Sequence, residues 1–124
     1  MKEGIVVLGH GSRAGGEANR AVFEISARLR EKAGHDLVET ALLNRGSGQP
    51  TVAEAVAGLV ARGAGRIVVA PLFLTAGVHI RLDIPAEIAA LRRRFPGVAI
   101  ALAAPVGPDP RLADILLERV QEVK

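Results

Sequence analysis

Two short stretches hold the residue types that could do chemistry. In "VVLGHGSR", a run of aliphatics stops at Gly9 and His10 stands between two glycines. In "FLTAGVHIRLDIP", His79 is followed at short spacing by Arg81 and Asp83. The chain has 3 histidines and no cysteine, so thiolate metal sites and disulfides are excluded. Any metal must bind through imidazole, carboxylate, carbonyl or water. Neutral imidazole suits Zn, Co, Ni and Fe. Its ordinary pKa of about 6.5 also lets it accept a proton near neutrality.

Each residue also has a plainer reading. The glycines beside His10 make a turn, or a nest of N–H groups for an anion. His79, between Val78 and Ile80, reads as a semi-buried histidine. Asp83 reads as a helix N-cap or as a carboxylate orienting an imidazole. Arg13 reads equally as a surface charge or an anion contact. His35, beside Gly34 in a turn, reads as a surface residue.

Whether the two stretches meet depends on the elements that carry them. "GIVVLG" (4–9) reads as a strand buried on both faces. From 16 to 33, Ala18, Val22, Ile25 and Leu29 recur at helical spacing. "DLVETALL" (36–43) reads as a second strand. "PTVAEAVAGLVARG" predicts a helix with a Thr51–Glu54 capping box, the stripe Val52, Ala55, Val56, Leu59 and Val60, and a stop at Gly63. "GRIVVAPLFL" (65–74) predicts a third buried strand. Ile84, Ile88, Leu91 and Phe95 line one side of a third helix. "VAIALAAP" (98–105) predicts a fourth strand. Asp109 and Pro110 open a last helix with the stripe Leu112, Ile115, Leu116, Val120 and Val123.

This alternation predicts a single α/β domain over 1–124, with parallel strands and helices on both faces. The expected sheet order is 2-1-3-4, a truncated flavodoxin-like arrangement. Strands 1 and 3 then lie side by side where the chain reverses direction. Ligands bind outside the carboxyl ends of the strands at such a switch point. His10 follows strand 1 and His79 follows strand 3, so both converge there.

The 124 residues are 49% hydrophobic and 23% charged, the balance of a globular protein. Net charge is +3 and aromatics are 2%, with no Trp or Tyr. A basic bias without stacking platforms argues against nucleic acid and for a small acidic ligand. Arg92–Arg94 reads as a solvated helix C-terminus. The N-terminal apolar run is too short for a signal peptide or membrane span, so a cytoplasmic location is expected.

Taken together, "LGHGSR" and "PLFLTAGVHIRLDIP" resemble the half-length sirohydrochlorin chelatases, the small cobaltochelatases of the class II chelatase family. The pattern P-L-F-L-x-x-G-x-H-x-x-x-D-I-P carries most of the likeness, which spans the whole chain. The resemblance implies a chelatase-like fold and a lyase that inserts Co²⁺, or Ni²⁺ or Fe²⁺, into sirohydrochlorin. It places the chain in tetrapyrrole biosynthesis, in a cobalamin or siroheme branch. The metal is then a substrate, with no permanently bound cofactor. It also implies a homodimer. His10 and His79 match the family's metal-site histidines. Gly11, Ser12, Arg13, Arg45, Gly77 and Arg81 become the expected contacts to the carboxylate-rich macrocycle.

One position departs from the family. In "ALLNRGSGQPTV" Asn44 stands where an acidic residue is expected. An amide is a neutral, weak ligand and takes up no pyrrole proton. Glu39 or Asp83 are the alternative carboxylates. The residues also admit two rival readings. One is a non-catalytic metal or tetrapyrrole carrier or regulatory module, which Asn44 favours. The other is a phosphohistidine phosphatase, which Gly9 disfavours, because those enzymes carry arginine directly before the histidine.

Overall fold

The computed structural model describes residues 2–11, 16–43, 50–75 and 77–124, with backbone alone for 78–80. The elements are β1 (Lys2–Gly9), α1 (Glu17–Ala33), β2 (Val38–Leu42), α2 (Val52–Ala61), β3 (Ala64–Pro71), α3 (Val78–Arg94), β4 (Ala99–Leu102) and α4 (Pro110–Glu122). The four strands are parallel in the order β2-β1-β3-β4. The expected α/β class and strand order therefore hold.

The core lies mainly on one face. Val6, Leu8, Ile67, Val69 and Ile100 point there, onto Val56 and Leu59 of α2 and Ile84, Ile88 and Leu91 of α3. On the other face a smaller cluster forms, in which Val22 and the half-buried Leu29 of α1 pack with Val7, Val38 and Leu42, with Ile5 and Leu72 at its border. Ser26 fixes α1 against β2. Its hydroxyl donates to Val22 O at 3.0 Å and accepts from Thr40 Oγ1 at 2.7 Å. Arg30 Nη2 donates to Val38 O at 2.7 Å on the same side.

Local sequence explains most boundaries. Thr51 and Glu54 form the capping box that starts α2, and Gly63 takes φ 95° just beyond its end. Asp109 caps α4 ahead of Pro110.

Four expectations need correcting. α3 begins at Val78, not near Asp83, and runs through Pro85. Proline removes a single bond there, from its own missing N–H to the Arg81 carbonyl, and its ring sits on the exposed side of the helix. Asp83 is therefore not an N-cap; Gly77 holds that position. The α1 stripe is only half used: Val22 is buried, whereas Ala18 and Ile25 are exposed. The third strand is buried on one face only, with Ile67 and Val69 fully covered and Val68 and Ala70 partly exposed. The last concerns α4. No residue of α4 is fully buried; of its apolar stripe Leu112 is half-buried and Leu116 and Val123 are mostly exposed.

Candidate functional site

The switch point forms at the carboxyl ends of β1 and β3. Leu72 N donates to Leu8 O at 2.8 Å, and Leu43 N donates to Gly9 O at 2.9 Å. These bonds tie the segments after β2 and β3 to the end of β1. His10 emerges at that point, exposed to solvent. Its ring rests on Phe73, with centroids 4.4 Å apart and planes tilted by 43°. Phe73 is buried in the core, so it gives His10 a fixed apolar floor.

The two glycines flanking His10 serve the fold. A Cβ on Gly9 would stand 2.6 Å from Val22 Cγ2. A Cβ on Gly11 would stand 2.9 Å from Leu42 Cβ, and Gly11 holds φ +76°. Both positions face inward, against α1 and β2, so their smallness is used within the chain. Gly77 differs: a Cβ there would meet open space.

His79 is the second residue of α3, so its backbone lies in the first turn of that helix. The turn has no acidic residue, and among the described residues no side chain caps it, so its N–H groups and the positive end of the helix dipole suit an anion. Arg81 follows, exposed, and no described group forms an ion pair with it. It lines an apolar hollow of about 160 Å³ with Pro71, Phe73, Ile84, Leu102 and Pro105. On the other side of Ile84 lies a more polar hollow of about 250 Å³. Asp83 and Glu87 line it, facing Leu43 and Thr51. Glu87 is a residue of this edge that the motifs do not single out; its spacing of four from Asp83, and of eight from His79, is the signal that points to it.

The structure thus brings His10, Phe73, Arg81 and the first turn of α3 to one edge of the sheet. Ser12, Arg13, Asn44 and Arg45 lie outside the described residues. Glu39 is not at this edge; it pairs with Arg62 at 2.9 Å, on the outer side of β2. His35 sits at the opposite end of the sheet, where its Nδ1 accepts from Leu37 N at 3.1 Å. Arg92–Arg94 form the last turn of α3, with Arg92 Nε donating to Ile100 O at 2.8 Å and Arg94 stacked 4.9 Å from the Phe95 centroid. Among the described residues, no helix is long and apolar enough to cross a membrane.

An open α/β sheet with an imidazole and a free helix N-terminus at its switch point defines a small-ligand or metal-handling class of protein. Within that class the chain belongs to the CbiX family, whose profile matches residues 4–123. It is 36% identical over 120 residues to a sirohydrochlorin cobaltochelatase of Sulfurisphaera tokodaii, covering 97% of this chain and 92% of that protein. It is 35% identical over 119 residues to the chloroplastic sirohydrochlorin ferrochelatase of Arabidopsis thaliana, covering 96% of this chain but 52% of that protein. Among solved structures, SirB from Bacillus subtilis with Fe³⁺ superposes with a TM-score of 0.85 at 28% identity, over 99% of this chain and 48% of that one. The chain thus spans about half the length of some relatives and nearly all of others.

Proposed function

We propose that this chain inserts a divalent metal, with Co²⁺ preferred over Ni²⁺ or Fe²⁺, into sirohydrochlorin. The observation that carries the reading is His10, exposed on its Phe73 floor at the switch point of a CbiX-family sheet. Insertion exchanges two pyrrole N–H protons for one M²⁺, so two protons must leave the macrocycle. There is no covalent chemistry for the protein to do, only positioning, desolvation and proton transfer. His10 and His79 hold the incoming metal, and at least one of them accepts a pyrrole proton.

The described hollows are too small to enclose a tetrapyrrole. The macrocycle therefore lies open across the carboxyl edge. Its carboxylates meet Arg81 and the N–H groups of the first turn of α3, with Gly11, Ser12, Arg13, Arg45 and Gly77 as further contacts. The open space beside Gly77 favours close approach there. Asp83 lies one turn after His79 and acts as an orienting or proton-accepting carboxylate. The functional unit is a homodimer in the cytoplasm.

Asn44 favours a second reading, a carrier that binds metal or tetrapyrrole without turnover. A metal-competition insertion assay with Co²⁺, Ni²⁺ and Fe²⁺, followed by absorbance, separates the two. Catalytic turnover with Co²⁺ fastest supports the chelatase. Stoichiometric binding without turnover supports the carrier.

A further inference from the structure

The apolar hollow of about 160 Å³ adjoins the seat of His10. Phe73 links the two: its ring carries His10, with centroids 4.4 Å apart, and it also lines the hollow. Ile84 and Pro85 of α3 line it as well, with Leu102 and Ala103 at the end of β4. Arg81 is the one charged residue among the described residues around it. It precedes Ile84 and Pro85 by three and four positions, so the three share one face of α3. Arg81 is exposed and pairs with no described carboxylate, which puts its guanidinium on the rim.

Such a hollow sets what it can take. A carboxylate pushed into it loses its water and finds no described polar side chain beyond Arg81 on the rim, which is unfavourable. An alkyl group gains by entering. The volume admits a methyl with the edge of its ring and excludes a whole tetrapyrrole. Sirohydrochlorin offers such a group. Carboxylate arms surround its rim, and in each of its reduced rings a saturated carbon bears a methyl beside an acetate arm. Uroporphyrin III has the same pattern of carboxylate arms and lacks those methyls.

We propose that the hollow receives a C-methyl of sirohydrochlorin's reduced rings while Arg81 holds the acetate arm on the same carbon. Methyl and arm leave one tetrahedral carbon in different directions, so the methyl points inward and the arm lies along the rim. In the macrocycle one pyrrole ring separates the central nitrogens from that carbon. In the protein one phenyl ring, that of Phe73, stands between His10 and the hollow. The methylated edge then fixes the rotation of the macrocycle about its own centre, with that centre beside His10. A missing methyl leaves the apolar walls without a partner, a difference of about 10-fold or more in binding. This selectivity rests on the chelatase reading and adds which edge of the substrate the protein reads.

The test is an absorbance titration with metal-free sirohydrochlorin and with uroporphyrin III. It is run on wild type, Ala103→Leu, Leu102→Ala and Arg81→Gln, with folding checked by circular dichroism. Wild type is expected to bind sirohydrochlorin about 10-fold or more tightly than uroporphyrin III. Ala103→Leu fills the hollow, so sirohydrochlorin binding falls toward that of uroporphyrin III, whose own binding stays as it was. Leu102→Ala takes away a wall and lowers the same ratio, so the outcome does not hang on the folding of one variant. Arg81→Gln weakens both macrocycles and keeps their ratio, because both carry the arm. The macrocycles also differ in ring shape, and a ratio that changes on altering the hollow separates the methyl from the shape. Equal wild-type affinity for the two would overturn the proposal, and so would a preference that survives in the folded hollow variants. Either result leaves the chelatase reading standing. Failure of wild type to bind sirohydrochlorin at all would remove both.

Discussion

His10 combines an exposed imidazole with a fixed seat. Its ring is held by Phe73, and its loop is held by glycines that nothing larger could replace. Gly11→Ala forces a Cβ into a left-handed residue and against Leu42, so it is expected to lower stability by about 1–3 kcal/mol in urea unfolding. Gly77→Ala has room and an ordinary φ of −66°. It is expected to leave the urea midpoint nearly unchanged and to raise KM for sirohydrochlorin. An unchanged KM would remove the macrocycle from that position. The missing carboxylate gives a third expectation at this scale. Asn44→Glu restores a proton acceptor and should raise the insertion rate, read by the absorbance of the metallated product.

Among the elements, α1 shows how polar groups set a helix's position. The Ser26–Thr40 pair is buried and complete. Ser26→Ala leaves the Thr40 hydroxyl without its acceptor and should cost about 1–3 kcal/mol, whereas Ser26→Ala with Thr40→Val should cost clearly less than the sum of the singles. Unfolding of the four variants measures that coupling. At α4, the Arg111 side chain and then its backbone N–H hydrogen-bond the Asp109 carboxyl and hold its pKa well below the ordinary carboxylate range. The stabilisation is therefore present above the ordinary value and is lost as pH falls through the depressed one. The helix-content advantage of wild type over Asp109→Asn, read at 222 nm, should shrink in that acid window. A pH-independent difference would contradict the capping role.

The elements also show what was legible beforehand. Strand order, the capping box of α2 and the cap of α4 follow from local signals and the alternation of elements. The start of α3 does not. Asp83 reads as the cap of that helix, yet α3 starts at Val78 and runs through Pro85, whose one lost bond is tolerated on an exposed side of a long helix. That misreading put His79 in a loop and Asp83 at a cap. The stripes of α1 and α4 were visible as periodicity, but periodicity does not say what an apolar face covers. Ile25 and Leu116 recur at the same helical spacing as Val22, yet Val22 is buried and they are exposed.

At the scale of the molecule, the two sides of the sheet are unequal. One is closed by α2 and α3 and carries the core. The other is closed by α1 over half its width, and the site sits at the carboxyl edge between them. Among the described residues that edge carries the exposed Arg81 and two hollows of about 160 and 250 Å³, which suits a flat, carboxylate-rich macrocycle lying across it. The central claim is that two imidazoles at this edge manage metal and protons during insertion. The most direct measurement is the initial rate of Co²⁺ insertion into sirohydrochlorin for wild type, His10→Ala, His79→Ala and the double variant, with folding checked by circular dichroism. The account predicts a loss of about 100-fold or more for each single variant, and little further loss in the double variant, because the two act as a unit. A folded double variant that inserts Co²⁺ at the wild-type rate would contradict it.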